Sequence, residues 1–399
     1  MRIAIDATVL GAQDTGLAVW LRGLVRALAR VDKENEYVVY HRPEAGEIAP
    51  GAGGKFCFVP VRLPARGCAG RMLWRRWALP RRLARDGIEV LHCPSCIAPR
   101  TEVPTVLTVH ELLPFTHPRL CRLGELLEQR ALLPGSIRRA ATVHCTSRWA
   151  RQCLTCRFPK ADPSAPVVRA AADDAFRPSD PADAERYRRS RSLSEPPFLM
   201  VGSPEPRKNL PVVLEAMALL ARRRGGGGRR LVLVGPPGRC RARVERRIRA
   251  LGLERDVQQW GYLPRDEMPR AYGCALALLE PAEAGGLGLS VMEAMACGTP
   301  VIAGCRGPAA ECAGQAAVLV RRPTPEALAE AMERVETDEP LRKRLKAEGI
   351  ERAGLFGWED AALHMIELYT LARRTPGPLA RLEVPAEPDT TTLTAEAQP

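Results

Sequence analysis

Long apolar runs are missing from these 399 residues: the longest, such as Ala275–Leu279 and Leu231–Val234, fall far short of the ~20 residues a bilayer crossing needs. No transmembrane helix is expected. A secretory leader is not expected either, because the opening MRIAIDATVL places Asp6 inside its apolar run, where an export signal carries no charge. Aromatics are only 5%, and the basic residues are dispersed rather than blocked together. So although Lys+Arg 59 against Asp+Glu 46 leaves +13, nucleic acid is not expected as a partner. Cysteine shows no pairing pattern: thirteen, an odd number, are scattered along the chain, which reads as reduced thiols in the cytoplasm rather than a disulfide framework. Two CxxC pairs, Cys93–Cys96 and Cys153–Cys156, have zinc-compatible internal spacing, but their separation fits no standard finger. Neither metal nor cofactor is expected.

What is present is alternation. Short β-branched runs at Arg2–Val9, Glu36–Tyr40, Phe56–Val61, Glu89–His92, Thr105–Val109 and Thr142–Cys145 are interleaved with helical patterns. Around Asp173–Pro197 the pattern dissolves into charge and proline, with room for one helical turn. A second series follows, with strands at Phe198–Gly202, Arg230–Gly235, Val257–Trp260, Ala275–Leu279, Pro300–Ala303 and Ala317–Val320. Strands alternating with helices imply parallel sheets with crossover connections. Two such halves in succession make an α/β chain of two Rossmann-like, doubly wound domains facing a cleft, with the chemistry at the carboxyl ends of the strands. Gly225–Gly228 reads as a flexible surface loop, and Thr375–Pro399, with no apolar period, as a disordered tail.

Two stretches carry chemistry. In Val201-Gly202-Ser203-Pro204-Glu205-Pro206-Arg207-Lys208-Asn209-Leu210 a strand leads through two cations into an amphipathic helix, which places Arg207 and Lys208 at a sheet's carboxyl edge beside helix N–H groups. That is either an anion site or a solvated Arg-Lys pair before an ordinary cap. In PAEAGGLGLSVMEAMACGTPV, residues 281–301, a glycine-rich turn feeds a helix whose single acid, Glu293, stands among small apolar neighbours. A buried carboxylate needs a partner; a ligand's hydroxyl pair, a backbone N–H or a neighbouring arginine would each serve.

GSPEPRKNL, VMEAMACGTPVIA, GQAAVLV and the closing LFGWEDAALHMIELY together resemble the retaining nucleotide-sugar glycosyltransferases of the GT-B fold, glycosyltransferase family 4, through about Arg373. The resemblance implies a metal-independent hexosyltransferase. It moves a sugar from a nucleoside diphosphate to a sugar or lipid-linked acceptor with retention, by front-face departure, in polysaccharide or glycoconjugate synthesis. It implies that Arg207 and Lys208 clamp the diphosphate, that Glu293 binds ribose hydroxyls, that Gly16 lies near the diphosphate in a donor loop, and that His110 faces the sugar. The Gly285-Gly286-Leu287 turn would lie against the donor. It also implies segments 1–180, a linker 181–197, 198–357, a helix 358–374 crossing back onto the first domain, and the tail 375–399.

The departures are specific. The family usually has two glutamates separated by seven residues, the first binding the donor sugar; counting back from Glu293 lands on Gly285. If the loop carries two extra residues Glu283 takes the role, whereas the gapless register keeps Pro281 in place. The His-Asp turn of the family is written His110-Glu111 here, and Ala18 stands where a second glycine is common, its methyl narrowing the approach to phosphate. These departures motivate the alternative of a non-catalytic relative serving as a binding or partner subunit. Finally, Arg71–Arg85 is a basic amphipathic stretch that either rests on the inner face of a membrane or packs Leu73, Trp77 and Leu83 inward, with Pro80 interrupting its period.

Overall fold

A computed structural model describes residues 1–12, 15–65, 67–225, 229–238, 240–282 and 284–375. Glu283, Gly226–Gly228 and the tail beyond Thr375 therefore lie outside the described residues. The first sheet holds β1 (Arg2–Ala7), β2 (Glu36–His41), β3 (Phe56–Pro60), β4 (Val90–Cys93), β5 (Thr105–Val109) and β6 (Thr142–Cys145), in the order β3-β2-β1-β4-β5-β6. The second holds β7 (Phe198–Val201), β8 (Leu231–Val234), β9 (Val257–Gly261), β10 (Ala277–Glu280), β11 (Val301–Gly304) and β12 (Val318–Val320), in the order β12-β11-β10-β7-β8-β9. All pairings are parallel. The inner strands are near-continuous apolar runs, FLMV and TVLTV among them, because helices cover both faces and leave no side for polar residues. Each sheet reverses its strand order beside its first strand, between β1 and β4 and between β7 and β10. Such a reversal opens a crevice at the carboxyl ends, where doubly wound sheets bind ligands.

The helix Trp358–Arg374 returns to the first domain, lying on the helix Gly16–Val31 and against β4, β5 and β6. The approach is close: a Cβ on Gly23 would fall 2.4 Å from Cζ2 of Trp358, so only glycine lets the indole reach the helix backbone. One buried apolar cluster accordingly contains Ile3 and Trp20 of the first domain, Leu199 and Met295 of the second, and Trp358 and Met365 of the returning helix.

Three local readings change. The segment expected as a connection with one helical turn contains a ten-residue helix, Pro181–Ser190, started by the Asp180 side chain, which accepts from Ala182 N. The short helices Met268–Gly273 and Gly307–Ala313 have too few residues to show a period. In the basic stretch, Leu73 and Trp77 do not pack inward; they are 42% and 55% exposed, while Trp74, Leu79 and Leu83 are buried. Residues Trp74–Ala78 form a π turn ahead of Pro80, whose missing N–H frees a carbonyl one turn back. The extra residue in that turn rotates the apolar face, so the buried side chains are spaced by five and then by four.

Candidate active site

At the β7/β10 crevice, β7 ends at Val201 and the chain turns through Gly202, with φ +117°, into the short turn Pro206–Lys208. Asn209, left-handed at φ 53°, then launches the helix Leu210–Arg223. Lys208 is nearly buried, and its Nζ donates to Glu280 Oε2 at 2.5 Å. Glu280, the last residue of β10, also accepts from Ser290 Oγ at 2.9 Å through the same oxygen, and its Oε1 is buried without a protein partner. The lysine therefore stands at the strand reversal, aimed by a carboxylate that the neighbouring strand presents.

The glycine-rich turn continues from β10. Gly285, Gly286 and Gly288 have φ of +77°, +85° and +69°, a conformation only glycine adopts readily. A methyl group on Gly286 would lie 3.5 Å from Nη1 of Arg207, so the guanidinium sits beside this turn. From the opposite side Glu111, following β5, accepts from Gly286 N–H at 2.7 Å. Beside these groups a pocket of about 250 Å³ opens at the carboxyl ends of β7, β8 and β9, lined by Gly202, Gly235, Leu233, Val244, Gln259 and Arg241. Gly235 is required there: a Cβ on it would fall 2.6 Å from the carbonyl of Gly202.

Glu293, in the helix Leu289–Ala296, is 4% exposed and obtains its partners from the protein. Arg265 donates to one carboxylate oxygen and the Tyr272 hydroxyl to the other, at 2.8 Å. Burial pushes the carboxyl above its ordinary range, and the arginine and the hydroxyl pull against that. Arg265 also donates to Asp173, which accepts from Arg26 of the helix Gly16–Val31, so the acid is tied across to the first domain. Among the partners considered for this acid, an arginine is thus present; sequence reasoning did not locate Arg265, Tyr272 or Asp173.

In the first domain Gly16 opens its helix, and among the described residues no neighbouring atom lies within 4 Å of where a Cβ on it would be, which leaves room at the helix start. Ala18 does not narrow it: the residue is 1% exposed, packs in the core, and its N–H is capped by Thr15. His110 is buried, its ring edge-on to Trp20 with the two ring centroids 4.8 Å apart. Its Nε2 donates to the Pro94 carbonyl at 2.7 Å, leaving Nδ1 as a buried acceptor without a partner. In that tautomer Nδ1 can accept a hydrogen bond but not donate one.

Four further buried groups form a chain. Tyr369 of the returning helix bonds His92 Nδ1 at 2.9 Å, His92 Nε2 bonds Thr108 Oγ1 at 2.8 Å, and Thr108 Oγ1 bonds His144 Nε2 at 2.7 Å. Burial holds the rings neutral, with His110 lowered to about 4 and His144 to about 3. In the unfolded chain a histidine titrates near 6.5, so below that value the unfolded state binds more protons than the folded one. Stability is therefore full above about pH 6.5 and falls as pH drops toward 4, by about 1.4 kcal/mol per pH unit for each ring. Denaturation midpoints at pH 7, 6 and 5 test this; a flat series would contradict it.

Among the described residues no group of three or more His, Cys, Asp or Glu is placed to hold a metal ion, and Cys93, Cys96, Cys153 and Cys156 are free. No described helix is long and apolar enough to cross a membrane. Residues 183–352 match the family described as Glycosyl transferases group 1, and residues 15–168 match Glycosyltransferase Family 4. A D-inositol 3-phosphate glycosyltransferase of Segniliparus rotundus is 30% identical over 325 residues, 77% of this chain and 69% of that protein. The O-antigen chain mannosyltransferase B of Escherichia coli is 24% identical over 71% of this chain and 74% of its own length. Among solved structures, Anabaena HepE in complex with UDP and glucose superposes with a TM-score of 0.70 at 16% identity, covering 92% of this chain and 99% of that one. WaaG, a glycosyltransferase involved in lipopolysaccharide biosynthesis, gives 0.71 at 16%, covering 93% and 100%. The two parallel sheets around a cleft are the GT-B architecture, and the chain belongs to the group 1, family 4 glycosyltransferases.

Proposed function

We propose that the protein transfers a hexosyl group from a nucleoside-diphosphate sugar to an acceptor hydroxyl with retention of configuration, in the assembly of a polysaccharide or glycoconjugate. The observation that carries this is the convergence of Arg207, Lys208 and the Gly286 turn at one strand reversal, beside a pocket large enough for a planar base. The base enters the pocket between Gly235 and Gln259, the diphosphate meets Arg207, Lys208 and the N–H groups of the glycine turn, and the sugar points toward the first domain. Glu293 receives the ribose hydroxyls on lone pairs that Arg265 and Tyr272 leave open. The two cations stabilise charge that grows on the leaving diphosphate, and that phosphate takes the acceptor's proton, so no protein nucleophile is required.

The chemistry is tested by following transfer to a soluble glycoside with an α-linked donor. Proton NMR of the first-formed product should show the α configuration, and a β product would overturn the retaining reading. The partner-subunit alternative, motivated by Gly285 and Ala18, is weakened because Ala18 faces the core.

A further inference from the structure

Among the described residues of the glycine turn, Gly285, Gly286 and Gly288, none carries a carboxylate for the sugar. Gly285, Gly286 and Gly288 offer only N–H groups, which suit phosphate oxygens, whereas sugar hydroxyls also need acceptors. Glu280, the described acid that precedes the turn on its own strand, is engaged with Lys208 and Ser290 through one oxygen. Glu111 is different. It belongs to the first domain, yet its Oε2 lies 2.7 Å from Gly286 N and 2.8 Å from the point where a Cβ on Gly285 would be. Leu113 Cδ1 crowds that same point, also at 2.8 Å. The carboxylate of residue 111 thus occupies the volume that a side chain at 285 would need.

We infer that Glu111 supplies, from across the cleft, the carboxylate that accepts donor-sugar hydroxyls, and that glycine stands at 285 because the two positions share one volume. This rests on the reading of the cleft as a nucleotide-sugar site. The bond to Gly286 N–H is a charge-assisted contact that fixes one carboxylate oxygen while the other is left for a hydroxyl. Because the acceptor belongs to one domain and the diphosphate groups to the other, bound sugar links the two, and a donor lacking its sugar would not.

The test compares Glu111→Gln, an isosteric change, with the wild-type full-length chain. Calorimetric titration uses UDP, GDP and ADP and their glucose and mannose conjugates. Glu111→Gln should bind the nucleoside diphosphate as the wild type does, bind the matching nucleotide sugar roughly tenfold more weakly, and turn it over about a hundredfold more slowly. Gly285→Ala should be damaging in the wild type and less so in Glu111→Ala, since the backbone strain and the Leu113 contact are common to both and only the collision with Glu111 is removed. Unchanged sugar-nucleotide affinity and turnover in Glu111→Gln would overturn the inference. So would tighter binding, which would make Glu111 a mere plug on Gly286 N–H, or the expected loss appearing in Glu283→Gln instead. Failure of the wild type to bind any of the three nucleoside diphosphates would overturn the site reading beneath it.

Discussion

Lys208→Ala should lower turnover by about two to three orders of magnitude, the loss of ~3–4 kcal/mol expected when a preorganised donor to the developing charge is removed. The expectation rests on placement. Lys208 Nζ is held at 2.5 Å from Glu280 at the β7/β10 reversal, so its position does not depend on the ligand arriving. Removing it also strands Glu280, 4% exposed, with Ser290 as its remaining donor, and a buried carboxylate deprived of its partner typically costs about 3–5 kcal/mol of stability. Two effects must therefore be separated. The double variant Lys208→Ala/Glu280→Gln removes the stranded charge and should recover most of the thermal stability while leaving turnover low. Recovery of both together would reduce Lys208 to a structural ion pair.

The second large effect is expected at Arg75. Its side chain is 4% exposed and donates from Nε to Asp6 Oδ2 at 3.1 Å, with Glu128 3.8 Å from Nη1 and a further bond to Ser95. Asp6, on β1, is fully buried and also accepts from Thr8 Oγ1 at 2.6 Å and Trp74 Nε1 at 3.3 Å. Arg75→Ala leaves buried Asp6 without its cation and Glu128 with Arg71, 3.8 Å away, as its remaining one, so about 3–5 kcal/mol should be lost. Arg75→Met combined with Asp6→Asn keeps volume and removes the charge at Asp6, and should cost much less. A denaturant titration of the three proteins decides: equal midpoints for Arg75→Ala and wild type would show that Asp6 is stabilised by its hydroxyl and indole donors alone.

The alternation of short apolar strands with helices was enough to place all twelve strands and both sheets, because strands buried on both faces leave a compositional mark within four or five residues. Arg207, Lys208 and the glycine turn were legible for a similar reason: their chemistry is local, two cations after a strand and glycines where φ is positive. Glu280 was not legible. It meets Lys208 only because the sheet order sets β10 beside β7, 72 residues apart in sequence. Glu111 reaches Gly286 across 175 residues, and Arg265, Tyr272 and Asp173 converge on Glu293 by the same kind of tertiary assembly. The His92–Thr108–His144 chain depends on the register of β4, β5 and β6, which periodicity does not reveal. In residues 71–85 Leu83 is buried as read, while Leu73 and Trp77 are exposed; the π turn at Trp74–Ala78 breaks the regular period from which Trp77 was placed inward.

The central claim is that the β7/β10 crevice binds a nucleoside diphosphate, and its most direct test is calorimetric titration with UDP, GDP, ADP, dTDP and CDP, with Glu293→Ala alongside. One nucleotide should bind selectively and raise the unfolding temperature, adding about 2.7 kcal/mol of stability at a hundred times its dissociation constant, and both effects should be lost in Glu293→Ala. Binding of none of the five, or binding that Glu293→Ala leaves unchanged, would contradict the account.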